Sequence, residues 1–80
     1  MQVYRAGIRQ APLDALLHYN LAVALDDLGR HAEALRAYDA CLAVDPTLAD
    51  AHYNAARLHE LLGHANQAIR HYNAYRRLQR

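Results

Sequence analysis

Eighty residues carrying a formal net charge of +1 leave room for one small domain and give no basis for a phosphate-backbone or other strongly charged partner. All nine cationic residues are Arg, and the single cysteine, Cys41, cannot close an internal disulfide, which points to a reducing, cytoplasmic setting. No stretch stays apolar long enough for a signal peptide or a bilayer span, and scarce Gly and Pro beside abundant Ala and Leu favour helix throughout.

The first predicted element is a helix over 2–11, with Val3, Tyr4 and Ile8 on one side. The next covers 14–28. There His18, Leu21, Ala22, Leu25 and Leu28 recur at i, i+3, i+4, i+7 and i+10, the apolar stripe of a 3.6-residue period. Gly29 stands where that helix needs a left-handed residue to end, and Gly63 stands in the same place after a later helix. A third helix, over 31–44, sets His31, Ala34, Leu35, Tyr38, Cys41 and Leu42 on its core stripe. Asp45-Pro46 stops it, because proline disfavours helical geometry in the residue before it. Thr47, with Asp50 three positions on, reads as a capping box opening a fourth helix over 48–62, and a fifth follows over 65–79.

The helices fall in pairs because the sequence repeats. At an offset of 34, Ala15, His18, Tyr19, Asn20, Ala22, Leu28, Gly29, Ala34, Arg36, Tyr38 and Ala40 meet identical residues, eleven matches of 15–46 against 49–80. Tyr4, Ala6 and Pro12 precede Tyr38, Ala40 and Pro46 by the same interval, so two whole units, 13–46 and 47–80, follow the tail of another, 1–12. The small residues Ala22, Ala34, Ala56 and Ala68 would let paired helices approach closely.

These residues carry a resemblance. His18-x2-Leu21-Ala22-x2-Leu25 … Ala34-x3-Tyr38 … Pro46 and His52-x2-Ala55-Ala56-x2-His59 … Ala68-x3-Tyr72 are similar to the tetratricopeptide repeat, across essentially the whole chain. The departures are His for the family's Trp, Leu25 and His59 for its Tyr, and Arg80 where its Pro would stand. The RNA-reading pentatricopeptide type, with units one residue longer, fits the period less well and normally carries more positive charge. The resemblance implies an all-α fold of antiparallel helix-turn-helix repeats, stacked into a short right-handed α-solenoid of about five helices. It further implies a protein–protein interaction scaffold, which takes a peptide or a partner's helix in a concave groove lined by the first helix of each repeat.

On helical spacing, the groove stripe would be Leu16, Tyr19, Asn20, Val23, Asp26 and Asp27 in the first repeat. In the second it would be Asp50, Tyr53, Asn54, Arg57, Glu60 and Leu61. A carboxamide both donates and accepts, so Asn20 and Asn54 either hold a peptide backbone, as ladders in the family do, or simply sit wet. Tyr19 and Tyr53 offer rigid hot-spot area or pack on a neighbouring helix. Four groove acids beside the lone cation Arg57 favour a partner of positive or mixed charge. The chaperone-tail carboxylates clamped by a lysine-lined subclass fit poorly.

His52 and His59 stand two helical turns apart, about 10 Å, too far for joint ligation, so no metal site is expected. His18, His52 and His59 read instead as neutral, hydrogen-bonded replacements of aromatic core residues, and stability is expected to fall as pH drops through the histidine range. With no Ser, one Thr and Cys41 on a core stripe, neither an enzyme nor a cofactor protein is expected. Direct nucleic-acid or membrane binding is not expected either. A second function class is self-association as a homodimer. It would use Val3, Tyr4 and Ile8 at one end, and Tyr75 and Leu78 among Arg70, Arg76, Arg77 and Arg80 at the other. By resemblance, Arg-rich repeat tails also close bacterial proteins, so the chain would then be the C-terminal part of a larger bacterial regulatory protein.

Overall fold

The computed structural model describes residues 12–79, which form four α-helices and, among the described residues, no strand. In chain order these are α1 (Leu13–Asp27), α2 (His31–Val44), α3 (Ala49–Leu61) and α4 (Ala65–Leu78). Every end falls within one residue of the span read from the sequence, while the helix expected over 2–11 lies outside the described residues. α1 pairs with α2, α3 pairs with α4, and α2 packs on α3 to join the two hairpins.

Both hairpin turns are built alike. Gly29 and Gly63 take φ of +80° and +83°, a conformation that brings an L-residue's Cβ against its own backbone. The Gly29 N–H donates to the Asp26 carbonyl and the Arg30 N–H to the Leu25 carbonyl, both at 2.9 Å. Gly63 and His64 repeat the pattern onto Glu60 and His59, at 3.1 and 2.7 Å. These crossed bonds satisfy carbonyls that a helix end otherwise leaves open.

The start of α3 departs from the expected capping box. Leu48 holds the N-cap position with no side-chain cap bond. Thr47 turns back instead, its hydroxyl donating to Asp45 Oδ1 at 2.6 Å and its N–H to the same oxygen at 3.0 Å. Asp45, extended ahead of Pro46 (φ −140°, ψ 91°), already holds its carboxylate two residues from Thr47. A local turn of this kind competes directly with capping.

One core cluster draws Ala15, Tyr19 and Ala22 from α1, Ala34, Leu35, Ala37, Tyr38 and Cys41 from α2, Leu48, and Ala51, Ala55 and Leu58 from α3. α4 adds nothing to it and buries only Ala68. The four small residues expected at close helix approaches, Ala22, Ala34, Ala56 and Ala68, are all buried.

The α1 stripe needs correction. Ala22 is buried and Leu25 packs on the core, but His18 is only half-buried, and Leu21 and Leu28 are 53% and 72% exposed. Ala15 and Tyr19 take the inward positions instead. The repeat explains why. Leu17, Leu21 and Leu28 match Ala51, Ala55 and Leu62 at the 34-residue offset, and Ala51 and Ala55 are buried in the core that α3 shares with α2. α1 has no earlier described helix to play the part of α2. The sequence stripe therefore merged two flanks of one helix, of which the described fold covers one.

Candidate functional site

The two stripes read as groove residues come from helices remote in sequence, yet they meet. Asn54 Nδ2 on α3 donates to Tyr19 Oη on α1 at 3.1 Å, and Arg57 donates to Asp26 Oδ2 at 2.7 Å. The other Asp26 oxygen lies 3.2 Å from His31 Nδ1 at the start of α2. One carboxylate on α1 thus binds side chains from α2 and α3. The bond to Asp26 also raises the Arg57 pKa above its ordinary value.

Beneath these bonds lies a tyrosine pair that recurs with the repeat. Tyr19 meets Tyr38 edge to face with ring centroids 5.9 Å apart, and Tyr53 meets Tyr72 in the same way at 5.9 Å. In the first repeat the pair is inside the core. Burial pushes the Tyr38 phenol up to about 12, with Asp26 adding to the effect and the Asn54 side chain opposing it, while its hydroxyl makes no well-formed hydrogen bond among the described residues. In the second repeat the pair opens outward. Tyr53 is exposed, Tyr75 adds a ring 5.1 Å from it, and Tyr72 donates its hydroxyl to Glu60 at 3.0 Å. The sequence reading placed Tyr38 on the α2 core stripe, where it is buried, but missed Tyr72 as a member of this surface. The signal was present, since Tyr19 with Tyr38 and Tyr53 with Tyr72 keep one spacing in both repeats.

The remaining groove residues divide by exposure. Asn20, Asp27, Tyr53, Glu60, Leu61 and Arg57 are exposed, whereas Leu16, Val23 and Asp50 are half-buried. Val23 packs on the core, and burial raises the Asp50 carboxyl above its ordinary range. Tyr19 lies inside the core and accepts a hydrogen bond from Asn54. Among the expected self-association residues, Tyr75 is half-buried beside Tyr53 and Leu78 is exposed, while Val3, Tyr4 and Ile8 lie outside the described residues.

His18, His52 and His59 are half-buried and outside the core cluster, contrary to the core positions expected of them, while His52 and His59 are hydrogen-bonded as expected. His52 Nδ1 lies 2.9 Å from His71 Nδ1, and His59 Nδ1 lies 3.1 Å from His64 Nδ1. Among the described residues no three His, Cys, Asp or Glu side chains gather as a metal site. Cys41 is fully buried, and burial, with Asp45 second, pushes its thiol up to about 11. That environment suppresses the thiolate a nucleophile needs.

Two family models, each described as tetratricopeptide repeat, match residues 15–48 and 37–70. The first runs from α1 to the edge of α3, and the second from within α2 to within α4, so together they cover 15–70. The chain belongs to the tetratricopeptide repeat family. Such repeats are generally protein–protein interaction modules and typically non-enzymatic scaffolds, so protein binding is the class of function this fold serves. A search of curated proteins returns no match to the chain. Among the described residues no helix is long and apolar enough to cross a membrane.

Proposed function

We propose that this chain binds a peptide or a helix of a partner protein across the face where side chains of α1 and α3 meet. The bonds from Asn54 to Tyr19 and from Arg57 to Asp26 carry the reading, because they join stripes from two repeats into one continuous surface. Asn54, Tyr19 and Asp26 hold that surface together. Contact with a partner falls to exposed Asn20, Asp27, Tyr53, Glu60 and Leu61. An amide for the peptide backbone, carboxylates for a cationic side chain and a rigid ring for an apolar one suit an extended partner of positive or mixed charge. In the same reading 13–46 and 47–80 are whole repeats and 1–12 is the second helix of another. They stack as a short right-handed solenoid in a cytoplasmic protein with neither enzymatic activity nor cofactor.

The test is a pull-down from source-cell lysate with the full chain beside Asn20→Ala/Asp27→Ala and Tyr53→Ala, each checked for helicity by circular dichroism. A partner held by the wild type and lost by both variants supports the surface. Equal capture by all three sinks it.

A second reading, self-association, draws on the flank of α1 where Leu13, Leu17, Leu21 and Leu28 stay exposed. Contiguous apolar surface of this kind marks an association site. Sedimentation equilibrium should then show a dimer that Leu17→Glu/Leu21→Glu dissociates, and a monomer at every concentration would exclude it.

A further inference from the structure

Four of the six histidines form a row between α3 and α4. His64 meets His59, His59 stacks on His71 with rings 8° from parallel and 5.4 Å apart, and His71 meets His52. The first hairpin has no such row, since Leu25, Arg30 and Ala37 stand where the second carries His59, His64 and His71.

The hydrogen bonds assign protons to part of the row. His52 Nε2 lies 2.9 Å from the Pro46 carbonyl, which can only accept, so His52 carries its proton there. Its Nδ1 is then an acceptor, and His71 Nδ1–H donates to it. His52 must stay neutral to accept this bond. His71 can take one extra proton on Nε2 and keep the bond, but a second proton on the pair leaves two N–H groups facing each other.

We propose that this row is a proton-operated latch: at mildly acidic pH it takes up protons and releases α4 from α3, while the core built by α1, α2 and α3 stays folded. α4 is held chiefly by its packing along α3. It gives no residue to the core cluster, and beside the row that packing includes buried Ala68, the Tyr72 and Tyr75 rings on Tyr53, and the Tyr72 bond to Glu60. His59 and His71 sit below the ordinary histidine value, first because of burial and then because of neighbouring histidines. Among the charged groups facing the row, Asp39 on α2 favours the protonated forms of both, and Arg70 on α4 opposes protonation of His71. No described ion pair joins a carboxylate to the row.

The sign follows from linkage. The closed hairpin prefers neutral rings, whereas the open one binds protons near the ordinary value of about 6.5. Closure is therefore fully stable above that value and weakens as pH falls from it through the lowered values of His59 and His71. On the surface reading above, opening also carries Tyr72 and Tyr75 away from Tyr53, so partner binding would weaken with it. The latch itself does not depend on that reading.

Amide hydrogen exchange of the full chain, corrected for intrinsic rates, tests it between about pH 7.5 and 5. The opening constant of α4 amides should rise on acidification with a slope of about one to two protons, or about ten- to a hundredfold per pH unit, while α2 amides stay unchanged. His59→Leu/His71→Ala, which installs the residues of the first hairpin, should flatten the slope. An equal response in α2 and α4, no response, or an undiminished slope in the variant overturns the latch. Should the variant fail to fold, histidine ring-proton titration of the wild type decides: two resonances titrating below the ordinary value support it, and none below refutes it.

Discussion

Asp26 joins three helices through one carboxylate, with His31 on one oxygen and Arg57 on the other. Its side chain is mostly buried while that of Arg57 is 45% exposed, so each bond sits in the modest range for such pairs. Asp26→Asn should cost roughly 1–2 kcal/mol by urea denaturation, and Arg57→Ala less, because removing the exposed partner leaves His31 in place. Tyr38 makes the opposite case. Its hydroxyl is buried and makes no well-formed hydrogen bond, only the Asn54 side chain, already committed to Tyr19, acting on it, and desolvating such a group is unfavourable. Tyr38→Phe should therefore leave stability unchanged or raise it by up to about 1 kcal/mol in the same assay, and a loss of more than that would reveal a partner. Neither assignment was legible from residues alone. Helical spacing set Asp26 and Asn54 on corresponding stripes of α1 and α3, but partners 31 and 35 positions away appear only once the fold brings those side chains within reach.

At the scale of elements, the hairpin turns were the most legible feature, because Gly followed by a polar residue after an apolar run has one inexpensive geometry. A Cβ built on Gly29 or Gly63 meets nothing within 4 Å, so the penalty for a side chain there is backbone strain alone. Gly29→Ala and Gly63→Ala should each lose about 1–2 kcal/mol and lower Tm, and two losses of unequal size would mean that one turn relaxes. The leucine stripe was the least legible. Leu58 is fully buried and Leu21 is half exposed, although both belong to apolar helical patterns. Leu58→Ala should cost about 2–5 kcal/mol and Leu21→Ala under about 1. Comparable losses would mean that something outside the described residues covers α1.

For the whole molecule, the core is shared by three helices and the fourth leans on it. Cys41 sits inside that shared core with its thiol raised to about 11. Its modification by a disulfide reagent at mildly alkaline pH should be slow and should speed up with urea in step with loss of helicity. Fast labelling of the native chain would show that α2 opens from α3 without unfolding.

By itself the sequence determined the four described helices, their pairing, both glycine turns and the family, because each rests on local spacing or on a period of 34 that recurs within the chain. It also selected the face on which α1 and α3 meet. Only the tertiary structure decided which residues on that face are tied to one another, which flank of α1 is covered, and that four histidines share one row. Those outcomes depend on contacts between side chains on different helices, such as His52 with His71, 19 positions apart. A periodicity orients residues about one helix axis, but it does not specify what lies across from them.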